Sequence, residues 1–315
     1  MAEYSINDML KEINYNSLDF IEQYVFMIEK NFDVNINIHD IVGLSSLVPS
    51  LEKAISSHQY HNNCFCNNIK KNNRCLEMCI LNKAKLCSKC SKTKTAFYDK
   101  CYMGIYEFIF PVVCDEKLIA IICIGQFYKN LEDSMNHIQI NSSLYCFNKE
   151  EAKYNFLNSA KNSDLDLESL HCHISMLIHH MCLAFKLSLE YSVSAPLQKG
   201  IHNDVFFVHK NNFILNTTTA FIRENYDRPL PLTLLAANAY CNPTYLSHLF
   251  KEKINISITE YINNIRILKA KELIDITSKS LTEIGILVGF NDLGYFGRVF
   301  KHIVGVSPKE YRQKA

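Results

Sequence analysis

The sequence predicts two unlike domains: an α+β N-terminal half, then a helical connector, then an all-α C-terminal domain. Three observations carry this reading. Residues 100–127 hold two β-rich runs separated by a short turn. The last hundred residues break into short segments of helical pattern, each opened by a cap signal. Between the halves, apolar and small residues recur at alternating steps of three and four. A chain of 315 residues suits two domains, and 48% hydrophobic residues are enough for two cores.

Composition removes several classes of function. The start, "MAEYSINDML", has no basic stretch followed by an apolar one, so no export signal is expected. No window reaches the ~18 uninterrupted apolar residues of a membrane span. A cytoplasmic protein without a membrane partner is expected. There, thirteen cysteines, an odd number, argue against a disulfide framework. Residues 211–315 carry 13 Lys/Arg against 9 Asp/Glu, and the first 210 carry 20 against 23. This mild basic excess permits nucleic-acid binding at the C-terminus without demanding it. No nucleophile–base constellation, Gly-rich phosphate loop or paired-carboxylate site stands out, so no enzyme is expected.

Taken in order, "SLDFIEQYVFMIEKNF" (17–32) reads as a helix and "DVNINIH" (33–39) as a half-buried strand. "GIYEFIFPVVC" and "KLIAIICIGQF", joined by Asp115-Glu116, predict a hairpin near 105–126. Leu167, Leu170, Ile174, Leu177, Met181, Ala184, Ser188 and Tyr191 form a heptad seam. It has two readings: a helix packed on its own domain, or a parallel coiled coil joining a homodimer. "SVSAPLQKG" (192–200) opens a linker expected over 193–210. Helices follow near 214–225, 233–240, 243–252, 257–275, 281–288, 292–302 and 307–313. "SITE" (257–260), "SLTE" (280–283) and "SPKE" (307–310) each pair a capping Ser with a Glu three residues on. Asn242 and Pro243 supply a cap and a first-turn proline.

The C-terminal helices repeat a pattern. A short helix, a tight turn and a second helix occupy 233–252 and again 281–302, with "YLSHLFK" aligning with "YFGRVFK". That is helix-turn-helix syntax, in which the second helix enters a major groove. The helix between the copies is about 28 Å long at 1.5 Å per residue. It suits two reading helices set about 34 Å apart, one turn of DNA.

These residues, and above all "EIGILVGFNDLGYFGRVFKHIVGVSPKEYR" with the connector "YINNIRILKAKELI", resemble the AraC/XylS family of bacterial transcriptional regulators over about 211–314. The resemblance implies that Thr244, Ser247, His248 and Lys251 face DNA from the first reading helix, and Leu293, Gly294, Gly297, Arg298 and Lys301 from the second. Arg298 would read guanine through O6 and N7, and the two lysines would touch phosphates. Tyr245, Leu246, Leu249, Phe250, Phe296, Val299 and Phe300 would be core. The chain departs from the family pattern at Asn255, where a glycine is usual, and at Gly285, where alanine is usual.

The N-terminal run "KCYMGIYEFIFPVVCDEKLIAIICIGQF" (100–127), with "FC" (65–66) and "RCLEMC" (74–79), resembles the PocR sensory domain, first described in a regulator of propanediol utilisation. The resemblance covers about 15–190 and implies a PAS-like fold with a small-molecule pocket. Tyr102 stands where the family has histidine. The matching thiols are Cys66, Cys75, Cys79 and Cys101. Three readings stay open: a site for zinc or an iron–sulfur cluster, a redox switch with thiols activated by Lys70, Lys71, Arg74, Lys83, Lys85 and Lys89, or buried small hydrophobes. The histidines of "HCHISMLIHH" (171–180) point in diverging directions on a helix and read as a solvated flank.

The expected organisation is a PAS-like α+β sensor over 1–164, a signalling and dimerisation helix over 165–192, the linker 193–210, and a DNA-binding domain with two helix-turn-helix motifs over 211–315. The expected partners are an operator DNA, a small-molecule effector, a second copy of the chain and RNA polymerase. A short diol or related carbon source is the expected effector. A cysteine-based redox or metal sensor with the same output is the alternative.

Overall fold

The computed structural model describes residues 20–58, 61, 63–162, 167–192 and 201–314. The chain forms two compact units, Met1–Lys210 and Asn211–Ala315.

The first unit is built on one sheet. Helix α1 (Phe20–Phe32) leads into strand β1 (Asn35–Asp40), where the alternating run places it; residues 17–19 of the expected helix lie outside the described residues. Asp40 ends the strand. Its carboxylate accepts hydrogen bonds from the backbone N–H groups of Val42, Gly43, Leu44 and Ser45 and from the Ser45 hydroxyl. This starts α2 (Leu44–Leu47), and α3 (Pro49–His58) follows. The cysteine-rich stretch is helical, forming α4 (Cys64–Lys70) and α5 (Asn73–Thr93), each opened by an asparagine side chain, Asn63 and Asn72.

Strand β2 (Phe97–Lys100) precedes the predicted hairpin, β3 (Tyr106–Cys114) and β4 (Lys117–Tyr128). Its turn residues Asp115 and Glu116 both have positive φ, 46° and 66°, the sense that matches strand twist in a two-residue connection. Helices α6 (Leu131–Tyr145) and α7 (Lys149–Ser159), then the short β5 (Lys161–Asn162), complete the sheet layer. Strand order is β1-β4-β3-β2, all antiparallel, with β5 parallel to the end of β4.

Strand alternation gives the sheet two different faces. Ile38, Ile122 and Phe110 lie in register on one. Helix α8 (Leu167–Ser192) packs there, with the His171 ring 6.0 Å from that of Phe110. His39, Ile109 and Cys123 point to the other face, where α5 packs and a cavity opens. The seam residues Leu170, Ile174, Leu177 and Met181 are all buried against α1, α2 and β3. Of the two readings of the heptad, the structure supports the helix packed on its own domain. A coiled coil through these residues would have to strip them from the sheet. The side chains of Leu167 and Tyr191 lie outside the described residues. Helix α8 is also long and apolar enough, by length and composition, to cross a membrane; its apolar stripe is accounted for by the sheet.

The expected linker lies outside the described residues up to residue 200. From Ile201 the chain is already helical, so α9 (Ile201–Asn225) starts well before the expected residue 214. The remaining helices match the expected positions: α10 (Leu232–Asn238), α11 (Pro243–Ile254), α12 (Ile258–Ile276), α13 (Leu281–Leu287), α14 (Leu293–Val304) and α15 (Pro308–Lys314). Ser280–Glu283 forms the full reciprocal cap, as does Ser307–Glu310, while Ser257 accepts from the Glu260 amide. The second unit has two cores. Ile214, Ile222, Leu235, Leu246 and Phe250 form one with Ile258 and Ile262. Ile284, Val288, Phe296 and Phe300 form the other with Ile267, Ala270 and Ile274. Helix α12 serves both, its first half in one core and its second half in the other.

Candidate functional site

The cavity of the first unit lies between α4, α5 and the sheet face carrying His39 and Glu107. Its volume is about 40 Å³, room for a few water-sized groups. Its wall combines Phe65, Ile69, Met103 and Ile105 with the polar side chains of His39, His61, Lys70, Lys83 and Glu107. His61 Nε2 lies 3.2 Å from Glu107 Oε1, and both are buried. The separation is short, but neither atom meets a hydrogen-bond geometry, so the pair is electrostatic contact rather than a formed bond. Burial holds His39 and His61 well below the ordinary histidine range, aided by the charge of Lys83. Burial lifts the Glu107 carboxyl to about 7 against the pull of Lys83 and Lys70.

The motif residues shape this cavity. Gly125 faces Glu107 across the hairpin; a Cβ there would come within 2.9 Å of Glu107 Cγ and 3.0 Å of the Tyr106 carbonyl oxygen. Gln126 donates through Nε2 to Cys66 Sγ at 3.1 Å. The Gly-Gln pair thus gives room to one polar group and holds another. The turn Cys101–Ile105 is closed by the Cys101 amide on the Ile105 carbonyl, with Gly104 at φ 82° beneath His137. Tyr102, in the family's histidine position, donates its hydroxyl to the Cys75 carbonyl at 2.8 Å and ties the turn to α5.

The cysteines behave differently from two of the three readings. All thirteen are free thiols. Among the described residues no group of three or more His, Cys, Asp or Glu side chains is placed to hold a metal ion. Cys66, Cys79 and Cys101 line the cavity, whereas Cys75 is fully buried in the neighbouring core with Phe65, Ile138 and Phe156. Cys66 and Cys101 also pack against that core, yet the expected ligand set Cys66, Cys75, Cys79 and Cys101 is not brought together as a metal-holding group. Burial pushes Cys66 up to about 12 against the pull of Lys70, Cys75 to about 11, and Cys101 higher still. A thiol kept protonated is a poor nucleophile and a slow redox partner. In the helix α8 stretch, His173 receives the Tyr24 hydroxyl at Nδ1 (3.0 Å), while His171, His179 and His180 are exposed.

Sequence reasoning missed His39, His61, Lys83 as a cavity residue, and Glu107. One signal was available: an acid inside the apolar run "GIYEFIFPVVC" is costly to bury unless something there uses it.

In the second unit the predicted polar positions are on the surface. Thr244, Ser247, His248 and Lys251 are exposed on α11, and Leu293, Gly294, Arg298 and Lys301 on α14, with Gly297 half-buried. Leu246, Leu249, Phe250, Phe296 and Phe300 are core, as expected. Tyr245 is not: it is 41% exposed, and its hydroxyl reaches Asn211. Val299 is half-buried. Asn255 ends α11 in the left-handed conformation that a glycine would otherwise supply. At Gly285 a Cβ would sit 3.0 Å from Leu293 Cδ2 and 3.2 Å from Phe296, so the missing methyl lets α14 pack close. Nothing lies within 4 Å of the position a Gly297 Cβ would take.

Two helix pairs with exposed polar second helices, joined by one connector and accompanied by a sensor-like cavity unit, define a DNA-binding transcription regulator rather than an enzyme. The sensory domain found in PocR matches residues 25–183, and a helix-turn-helix domain matches 235–314. The chain belongs to the family that carries the PocR sensory domain, and its C-terminal domain is of the AraC type. It is similar to the regulatory protein PocR of Salmonella typhimurium, 24% identical over 71% of this chain and 73% of that protein. It is also similar to the melibiose operon regulatory protein of Escherichia coli (31% identical, 33% of this chain, 37% of that protein). The arabinose operon regulatory protein of Escherichia coli is 37% identical over 27% of this chain and 30% of its own length. The chain thus spans about a third of the latter two. Among solved structures, the C-terminal domain of the response regulator AraT of Geobacillus stearothermophilus is 32% identical, covering 32% of this chain and 85% of that one at TM-score 0.32.

Proposed function

We propose that the protein is a cytoplasmic, effector-controlled transcription regulator in which the α4–α5–sheet cavity receives a small organic effector, a short diol or related carbon compound. Ligand binding would bias the sensor between two states with different affinity for operator or for RNA polymerase. The domain division at 164, 192 and 210, the PAS-like reading of the sensor, the two-fold reading of DNA and a homodimer belong to this proposal. Its chief support is the exposure of Thr244, Ser247, His248 and Arg298 on helices whose opposite faces are core. Such helices have a polar surface to spare and fixed backs. Arg298 has no ion-pair partner among the described residues, so its guanidinium is available to a guanine edge. Lys251 and Lys301 act on phosphates. The redox or metal alternative has no comparable support: among the described residues no three such side chains are placed to hold a metal ion, and burial raises Cys66, Cys75 and Cys101.

The test is a set of operator footprints and binding isotherms with Arg298→Ala. A loss of about 1–3 kcal/mol with relaxed preference at one base pair is expected. Equal weakening on every sequence would make Arg298 a phosphate contact instead.

A further inference from the structure

The reading of the cavity as the effector site leaves the effector's chemistry open, and two buried side chains narrow it. His61 is 9% exposed and Glu107 7%, and both line the cavity. Their facing atoms, His61 Nε2 and Glu107 Oε1, stand 3.2 Å apart, yet neither has a hydrogen-bond partner. The other ring nitrogen, Nδ1, lies 3.8 Å from Cys66 Sγ. Burial keeps His61 neutral, so no full ion pair replaces the missing bonds. A buried donor or acceptor left unmet is costly and rare in folded proteins. Two such atoms side by side in a cavity wall mark a place for a group that can serve both.

A hydroxyl is such a group. One oxygen both donates and accepts, and its proton turns to suit the neighbours. It can donate to Glu107 Oε1 and accept from an Nε2–H, or donate to a bare Nε2 and accept from a protonated carboxyl. Neither atom calls for a charged ligand, since His61 is neutral and Glu107 is only partly ionised near neutrality. Lys70 already donates to the His61 carbonyl. Phe65, Ile69, Met103 and Ile105 give the cavity an apolar wall, and about 40 Å³ admits only a ligand of a few heavy atoms. An adjoining groove shares Asn82, Leu86, Cys101 and Glu107 with the cavity. Glu107 thus stands where the two meet, and a ligand can reach the pair from that side.

We infer that the effector is an uncharged short-chain alcohol, its hydroxyl bridging His61 Nε2 and Glu107 Oε1 and its carbon chain set against Ile69 and Ile105. This assignment rests on the cavity being the effector site. It asks for one hydroxyl against an apolar wall, so a second hydroxyl is not required.

The experiment is calorimetric titration of the full-length protein with propan-1-ol, beside four compounds of similar size. Propane-1,2-diol adds a hydroxyl, 1-chloropropane removes it, and propionamide and propionate replace it with an amide and a charge. Propan-1-ol is expected to bind at least as tightly as the diol, and the other three at least about tenfold more weakly. Glu107→Met and His61→Leu should each weaken propan-1-ol about tenfold, while Glu107→Gln, which keeps hydrogen-bonding atoms at the pair, should stay within about threefold. Thermal melts of each unliganded variant establish that it folds; where one does not, the ligand series on the parent protein carries the test. Equal binding of 1-chloropropane, or undiminished binding in folded Glu107→Met and His61→Leu, would overturn the hydroxyl bridge. Tighter binding of the diol, the amide or propionate, lost in a folded cavity-blocking Ile69→Phe variant, would overturn the one-hydroxyl ligand and keep the cavity as the site. Binding of propan-1-ol that survives Ile69→Phe would overturn the cavity reading itself. Silence from every compound would leave the pair to water and overturn the assignment.

Discussion

Glu107 is a carboxyl placed where charge is unwelcome, and its behaviour with pH follows. In the unfolded chain it ionises near the ordinary value of 4.5, and in the folded protein only near 7. The folded state therefore holds this proton more tightly. Stability from Glu107 is fully present at low pH and is lost as pH rises from about 4.5 to about 7, by on the order of 3 kcal/mol. His39 and His61 act with the opposite sign. Their folded values are depressed, so the unfolded chain takes up protons first, and their stability is lost as pH falls below about 6.5. Glu107→Gln is expected to leave only the histidine slope. Urea unfolding of the two proteins at about pH 5 and about pH 7.5 checks this, with the variant gaining relative to the parent at the higher pH. Gly289 is a second single-residue case. Its φ is 92°, and a Cβ would meet the Tyr226 carbonyl oxygen at 2.7 Å and Asp227 at 2.8 Å. Gly289→Ala should cost about 1–3 kcal/mol through backbone strain and contact. The equivalent Tyr240 carries positive φ of 52° in the first motif.

At the scale of elements, α8 and α12 each do a job that one face dictates. Leu177 and Leu183 lie on the same helix six residues apart, but Leu177 is 1% exposed and Leu183 is 48% exposed. Leu177→Ala is expected to destabilise the first unit by about 2–5 kcal/mol, and Leu183→Ala to stay within about 0.5 kcal/mol; thermal melts of the pair decide. In α12 the Arg266 guanidinium donates to the Tyr226 and Arg228 carbonyls at 2.8 and 2.9 Å and stands 5.5 Å over the Phe290 ring. It joins the end of α9 to the second helix pair. Arg266→Ala would leave two carbonyls without their donors, a loss of about 2–3 kcal/mol. Arg266→Lys should not restore it, because one ammonium cannot reproduce the forked geometry. Denaturant midpoints of both variants test the point.

At the scale of the whole molecule, each unit has a core that closes within itself. Calorimetry is expected to show two unfolding transitions. Phe156→Ala should lower only the first unit's transition, and Phe300→Ala only the second's, since both rings are fully buried in separate cores. A single transition shifted equally by both changes would mean that the units unfold as one.

How much of this was legible in the sequence varied with the range of the interaction. The helix pairs were readable because their signals are local: Ser–Glu caps, Asn242-Pro243 and the repeated Tyr…Phe-Lys frame act within one or two turns of chain. The hairpin was readable for the same reason, from alternation around Asp115-Glu116. The heptad of α8 was visible, but not what it packs on, because one apolar stripe fits a sheet or a second helix equally well. The setting of the cysteines was not visible, because the burial that raises Cys66, Cys75 and Cys101 is revealed by no spacing. His39, His61, Lys83 and Glu107 come from four separate segments, and only the folding of α4 and α5 over the sheet brings them to one cavity. By itself, then, the sequence determined the C-terminal helices, the hairpin and the first helix and strand, since those follow from short-range periodicity and capping. The tertiary structure alone decided the cavity, its charge and the state of its thiols, because desolvation depends on neighbours far apart in the chain.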